Sequence, residues 1–339
     1  MTSLPAPRPR VALPGISGVS WEHPADRAAL QALRAVPGFD EAVRKIIAFI
    51  GGERGVRLLF QGNAVRAGAD QFPRLYALHV ENVATFDWPE TPELYVSQTP
   101  VFNAGAYGVD HPFIVIHSAA LELLTEDELR VLLAHEMGHV VSGHALYRTI
   151  AAILLAVSFS ALPILAGIAL LPIRLAILEW SRKAELSADR AGLLGSQDVR
   201  ATQALFLKMA GGVHDKQLSG EPMNLDAFVA QAHEYAASSE GLDLLYKILN
   251  TLALSHPMHT IRAAELQRWV AGGDYERILR GEYVRRGQEE KERPVGPDLK
   301  EAGAYYAQEA REVAGKVADA AKKAAEKAQD AFRKAQQKA

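Results

Sequence analysis

The sequence HEMGH, at residues 135–139, constrains the structure more than any other part of this 339-residue chain. Ten residues before it, Thr125-Glu126-Asp127-Glu128 forms a capping box, with threonine at the N-cap and glutamate three residues later. A helix is therefore predicted from about Thr125 through His135 to at least His144. Residues four apart lie on one face of a helix, so His135 and His139 can bind one cation with Glu136 beside it.

The composition restricts the ligands that such a metal site can use. The chain has no cysteine, so any zinc must be bound by His, Asp or Glu. Two histidines leave a catalytic zinc one protein ligand short, and the best candidate for the third is Glu185. Asp189 follows four residues later on a predicted helix. One carboxylate can bind zinc while the other accepts a hydrogen bond from a ligand imidazole. Glu136 would be the base that deprotonates a metal-activated water.

Several further motifs, in the same order along the chain, resemble those of the HtpX-like and CAAX prenyl-endopeptidase family of gluzincin zinc metallopeptidases. They are Asn103-Ala104, Pro112-Phe113-Ile114, Asp127-Glu128-Leu129, His135–His139, Ser181-Arg182 with Glu185 and Asp189, and Ser255-His256-Pro257 with Arg262. The resemblance covers about Glu93 to Leu266. It implies a zincin-like core that holds one Zn²⁺ per chain, with Glu185 as third ligand and Asp189 as the hydrogen-bond partner of a ligand.

The resemblance also implies roles for residues away from the HEMGH helix. Asn103 and Ala104 would belong to the strand that pairs with an extended substrate. His256 would lie near the active site, where it could stabilise an oxyanion or approach the metal, and Arg262 could tie that loop down. The residues alone also allow His256 to be a helix-boundary histidine before a proline. His144, five residues after His139, lies well off the ligand face of a continuous helix, so a structural role is predicted for it.

The predicted fold class is α+β and predominantly helical, with a small mixed β-sheet beside the HEMGH helix. Apolar residues recur at helical spacing from about Trp21 to Ala67, and Pro37-Gly38 separates two helices there. The runs Glu93–Val96 and Phe113–Ile116 predict strands, and Val101–Tyr107 predicts a third strand at a sheet edge.

We divide the chain into an extended N-terminal arm (1–20), a metallopeptidase domain (21–285) and a charged, Ala/Lys/Glu-rich helical tail (286–339). The domain contains an apolar helical insert at 150–174, in which residues 150–171 carry no charge. Pro163, Gly167 and Pro172 are predicted to divide this run into helices of about 12 residues, too short to span about 30 Å of hydrocarbon.

Three environments are open for the apolar run: one leaflet of a membrane, a self-association surface, or a buried helix pair. No apolar segment of signal-peptide type follows the proline-rich N-terminus, so a cytoplasmic location is expected, with peripheral membrane contact or self-association through residues 150–171. The formal net charge of −3 gives no indication of a nucleic-acid partner.

The expected activity is hydrolysis of peptide bonds in extended or unfolded polypeptides, in the manner of protein quality control. Two alternatives remain at this point. One is a metallohydrolase that acts on a non-peptide bond. The other is a catalytically inert scaffold of the same fold that acts through its apolar hairpin and its tail.

Overall fold

The computed structural model describes residues 10–49, 51–156, 164–212, 223–237 and 258–289. His256 and all of the predicted tail after residue 289 lie outside these ranges. The helices are α1 (Pro24–Arg34), α2 (Phe39–Phe49), α3 (Gly52–Gln61), α4 (Pro73–Thr85), α5 (Ser118–Leu123), α6 (Glu126–Val141), α7 (Ala145–Ala156), α8 (Ile164–Ser196), α9 (Val199–Gly211), α10 (Leu225–Ala237), α11 (His259–Ala271) and α12 (Asp274–Leu279). The strands are β1 (Ala64–Arg66), β2 (Glu93–Ser97), β3 (Ala104–Tyr107) and β4 (Phe113–His117). The predicted fold class, helical with a small sheet, is confirmed.

The four strands form one mixed sheet in the order β1-β2-β4-β3. β2 and β4 are parallel, whereas β1 pairs antiparallel with β2 and β3 pairs antiparallel with β4. The predicted edge strand is present as β3, although it begins only at Ala104. The sequence pattern does not predict β1, because the helical spacing of apolar residues continues across it to Ala67.

The sheet and α6 share the largest apolar core. Leu94 and Ile116 from the strands and Leu133 from α6 are fully or almost fully buried in it. Two residues of the N-terminal segment, Leu13 and Ile16, join the same core. Each such side chain contributes about 1.5–3 kcal/mol when fully buried, so the sheet is fixed firmly against the helix that carries HEMGH.

Small residues bring α6 and α8 unusually close together. A Cβ atom added to Gly138 would lie 2.4 Å from the Cβ of Ala191, and one added to Gly195 would lie 2.4 Å from the Cβ of Ala134. Carbon atoms do not approach to that distance, so the two backbones can pack this way only where glycine supplies no side chain. The close contact brings two carboxylates of α8 to the two histidines of α6.

The helix α6 ends at Val141, so the prediction that it continues to His144 is wrong. Gly143 adopts a left-handed conformation with φ of 70°. The His144 N–H donates to the carbonyl of His139 (2.9 Å), and the Gly143 N–H donates to that of Val140 (3.1 Å). These two bonds are those of a Schellman motif, which ends a helix at a glycine. The turn redirects His144, whose side chain therefore does not follow the 100° helical step.

The described ends of the apolar run lie in α7 and α8, and the N-terminal helices cover them. A second buried cluster contains Leu33 and Phe39 from the N-terminal helices, Ile150 and Leu154 from α7, and Ile173 and Ile177 from α8. Among the described residues, no helix combines the length and apolar character needed to cross a membrane.

The prediction that Gly167 and Pro172 divide the apolar run is wrong, because α8 continues through both of them as one helix. Pro163, the third predicted break, lies outside the described residues. A proline removes only one N–H donor and can leave a helix intact on both sides of itself. The part of α8 that follows Pro172 is held by packing against α1 and α6.

Candidate metal centre

Three buried side chains, His135, His139 and Glu185, converge where α6 packs against α8. The Nε2 atom of His135 lies 3.4 Å from Glu185 Oε2, and the Nε2 atom of His139 lies 3.4 Å from Glu185 Oε1. One donor atom of each residue lies within 4.8 Å of the other two. Two imidazoles and one carboxylate are a ligand set of catalytic zinc sites. The structure thus brings together the three residues predicted as ligands.

A positively charged group already contacts two of these donor atoms. Arg148 of α7 donates from Nη1 to Glu185 Oε1 (2.6 Å) and to His139 Nε2 (2.8 Å). The arginine is itself buried, so the donor set stabilises positive charge away from bulk water. The residues present therefore fit a divalent cation. The sequence pattern does not predict a role for Arg148, since nothing in its spacing distinguishes it from a surface arginine.

Glu136 projects from α6 beside the three donors. Its carboxylate is buried and accepts a backbone hydrogen bond from Ala106 of β3. Its Oε2 atom accepts no hydrogen bond within the described part of the chain. Burial raises the pKa of Glu136 above its usual value. A carboxylate with an unused lone pair and a raised pKa suits a base that must later release its proton.

Asp189 contacts the second ring nitrogen of His135, and Arg262 in turn binds Asp189. Asp189 Oδ1 lies 3.1 Å from His135 Nδ1. Arg262 of α11 donates to both Asp189 oxygens, from Nε at 2.8 Å and from Nη2 at 2.5 Å. Burial opposes protonation of His135, but the carboxylates of Asp189 and Glu185 outweigh it and raise the pKa of His135 to about 9. Asp189 thus lies within hydrogen-bond distance of His135.

His139 has a different neighbour on its outer side. Its Nδ1 lies 3.1 Å from Nδ1 of His144, and His144 Nε2 lies 3.3 Å from Asp26 Oδ2 on α1. Burial, together with the positive charge of Arg148, lowers the pKa of His139 well below its usual value. The sequence signal for His144 is the glycine before it, which ends α6. No sequence signal connects Asp26 with this site.

A cavity of about 300 Å³ opens beside Glu136. Asn103 and Ala104, at the start of the edge strand, line one side of it. The other lining residues are Phe102, Leu132, His135, Glu185, Leu205, Met209, His259 and Arg262. His259, for which the sequence predicts no role, lies at the start of α11. His256 remains a prediction, because it lies outside the described residues.

Comparison with known proteins gives a consistent family. Peptidase family M48 matches residues 69–270. A plastoglobule-localized metallopeptidase 48, chloroplastic, from Arabidopsis thaliana is 34% identical over 263 residues, which are 77% of this chain and 75% of that protein. A protease HtpX homolog from Sulfurihydrogenibium sp. is 38% identical over 85 residues, and these span 28% of that protein. A second protease HtpX homolog, from Trichormus variabilis, is 26% identical over 180 residues, which are 45% of this chain and 62% of that protein. No solved structure matches the chain.

Proposed function

Because the chain belongs to peptidase family M48, we propose that it is a zinc-dependent endopeptidase that hydrolyses extended or unfolded polypeptides. The observation that carries this proposal is the convergence of His135, His139 and Glu185, beside a Glu136 carboxylate whose Oε2 accepts no hydrogen bond from the described residues. Two imidazoles, one carboxylate and an adjacent carboxylate base are the side chains that metal-assisted hydrolysis requires.

The residues of the site are proposed to have three roles: metal binding, proton transfer and stabilisation of the oxyanion. The metal would be held by Nε2 of His135, Nε2 of His139 and the Glu185 carboxylate. When bound, zinc lowers the pKa of water to about 7 and polarises the scissile carbonyl. Glu136 takes the proton of the attacking water and returns it to the leaving amine. His256 is proposed to stabilise the developing oxyanion, on the strength of the family resemblance alone.

The edge strand supports an extended polypeptide as the substrate. Among the strands that the structure describes, β3 pairs only with β4, and its first residue, Ala104, lines the cavity next to Glu136. An extended chain can add to such an edge through main-chain hydrogen bonds, which read little of the side-chain sequence. Only a substrate segment that is locally unfolded has its main chain free to pair with this edge strand.

The wall of the cavity supports the same class of substrate. Phe102, Leu132, Leu205 and Met209 give it an apolar surface beside the polar site. Large apolar side chains of a folded protein are mostly buried, whereas those of an unfolded chain are accessible. A site of this kind therefore favours damaged or unfolded polypeptides, which is the basis for proposing a role in protein quality control.

We also propose a cytoplasmic enzyme that touches a membrane through residues 150–171, with self-association as the alternative. The absence of charge in this run supports the proposal. The name of the Arabidopsis relative places that protein at plastoglobules. Sedimentation with liposomes, compared with the oligomeric state in their absence, separates the two alternatives.

The catalytic proposal is tested with the purified full chain and unfolded casein. We expect cleavage that a chelator abolishes and zinc restores. Glu136→Gln should keep one equivalent of zinc but lose about 10²–10⁴-fold in rate, because only the base is removed. Glu185→Ala should lose the zinc itself. Glu126→Gln, on the exposed first turn of the same helix, is the control and should behave as wild type.

Either of two results would contradict the proposal. One is Glu136→Gln that cleaves casein at the wild-type rate. The other is Glu185→Ala that retains a full equivalent of zinc.

A further inference from the structure

A chain of buried polar groups leads from His139 to the N-terminal helix α1. His139 Nδ1 meets His144 Nδ1 at 3.1 Å, and His144 Nε2 meets Asp26 Oδ2 at 3.3 Å. Ser187 of α8 donates from Oγ to the same Asp26 oxygen at 2.6 Å. The His23 N–H donates to Ser187 Oγ at 2.8 Å. All five side chains are buried, so bulk water does not compete for these contacts.

The direction of each hydrogen bond in this series follows from Arg148, which donates to His139 at the end nearest the metal site. Arg148 has no acceptor atom, so His139 Nε2 must accept the hydrogen bond from it. A neutral imidazole carries one N–H, which in His139 is then on Nδ1. That N–H donates to His144 Nδ1, and His144 consequently donates from Nε2 to Asp26. A metal requires the same tautomer of His139, because its ligand nitrogen must offer a lone pair.

The two ligand imidazoles are therefore supported in parallel ways. His135 is backed directly by Asp189, whereas His139 is backed by Asp26 through the ring of His144. A partner on the outer nitrogen of a ligand histidine fixes the orientation of its ring and its tautomer, and its loss typically weakens metal binding 10–100-fold. Asp26 lies outside the part of the chain that the family comparison covers, 69–270.

We infer that Asp26 and His144 are positioning residues of the metal centre, which together hold the His139 ring with Nε2 directed at Glu185. The inference rests on the proposed function in one respect, that a metal binds at this site. It makes α1 part of the metal centre and gives His144 a role beyond structural packing.

The test measures zinc affinity of the full chain by competition with a chelator of known affinity. Asp26→Asn, which keeps the shape of the side chain, and His144→Phe, which fills the same space, should each weaken zinc binding 10–100-fold. His144→Asn should bind zinc more tightly than His144→Phe but more weakly than wild type, since its Oδ1 can replace Nδ1 as acceptor for His139 while its shorter side chain no longer contacts Asp26. In the cobalt-substituted protein, Asp26→Asn and His144→Phe should alter the visible spectrum of the ion.

A purely structural role is separated by a control on the same helix. Leu33→Ala removes a fully buried side chain of α1 and should lower thermal stability while leaving zinc affinity unchanged. The inference is overturned if Asp26→Asn and His144→Phe bind zinc as wild type does, or if Leu33→Ala weakens zinc binding equally. A wild-type chain that binds no zinc would overturn the inference and the proposed function together. A wild-type chain that binds zinc but does not cleave casein would contradict only the proposed function.

Discussion

Arg262 is the cation that balances the acidic groups behind the metal site. It donates to both oxygens of Asp189, and its Nη2 lies 3.5 Å from Glu185 Oε2. Its guanidinium also lies over the ring of Phe206, 5.2 Å from the centroid. Without Arg262, the buried carboxylate of Asp189 would lie beside that of Glu185. The free-energy cost of removing Asp189 from water would then no longer be offset by an ion pair.

We therefore expect Arg262→Met to lower the free energy of unfolding by about 3–5 kcal/mol, the usual cost of breaking a buried ion pair. Urea unfolding followed by circular dichroism measures the change. Arg277→Met is the matched control. Its partner Asp274 and Arg277 itself are largely exposed, so the cost should stay within about 0.5 kcal/mol. Equal costs for the two variants would contradict this account of Arg262.

The site could be predicted from the sequence only as far as local spacing and family resemblance reach. His135, Glu136 and His139 follow from one helical turn, and Glu185 was assigned by resemblance to a motif far along the chain. Arg148 and Asp26 approach the ligands only through the packing of α7 and α1. No local pattern encodes such tertiary contacts, so they could not be predicted.

At the scale of secondary-structure elements, the close contact of α6 with α8 requires that Gly138 have no Cβ atom. Glycine in a helix normally costs about 1 kcal/mol relative to alanine, so Gly138→Ala would be stabilising if space allowed. Here the new Cβ would lie 2.4 Å from the Cβ of Ala191. Overpacking of this kind costs about 1–3 kcal/mol and forces the helices apart, so we expect a net loss of stability.

The swap of the two side chains tests this explanation. Gly138→Ala alone should be less stable and bind less zinc, because α8 carries Glu185 away from α6. Adding Ala191→Gly removes the clashing carbon and should restore most of both properties. Gly62→Ala, where the nearest atom would be an ordinary 3.7 Å away, is the control and should cause no loss of zinc. If the double variant binds no more zinc than Gly138→Ala alone, the steric explanation is wrong.

The element boundaries show where sequence reasoning succeeded and where it failed. The start of α6 follows from its capping box, and both hydrogen bonds of that box are present. The end of α6 differs from the prediction, although Gly143 is a sequence signal for a helix end. Pro172 gave the opposite error, since a helix breaker was expected where tertiary packing maintains the helix. Local sequence signals predict a helix boundary well where backbone capping alone determines it, and less well where tertiary packing does.

For the molecule as a whole, buried neutral histidines make stability depend on pH. His79 is fully buried and donates from Nε2 to the carbonyl of Pro92 (2.8 Å), and burial lowers the pKa of its imidazole below 6.5. The unfolded chain therefore binds a proton at a higher pH than the folded chain does. The stabilisation is fully present above about pH 6.5 and is lost as the pH falls towards the folded pKa.

His79→Gln keeps a side-chain N–H for Pro92 but cannot take up a proton. The stability of wild type relative to this variant should fall as the pH drops below 6.5, by at most about 1.4 kcal/mol per pH unit. Chemical unfolding of both proteins between pH 7.5 and 5 measures the difference, and titrations that the two proteins share cancel. A difference that stays constant across this range would show that His79 does not titrate on unfolding.

The position of α1 decides how short a working enzyme can be made. Leu33 of α1 packs against the apolar parts of α7 and α8, and Asp26 of α1 contacts His144, the neighbour of His139. A fragment trimmed to 69–270 would keep all three proposed ligands and the base, yet it would expose that apolar surface to solvent. Such a fragment would aggregate before its catalytic competence could be judged, so the minimal catalytic unit has to begin before Pro24.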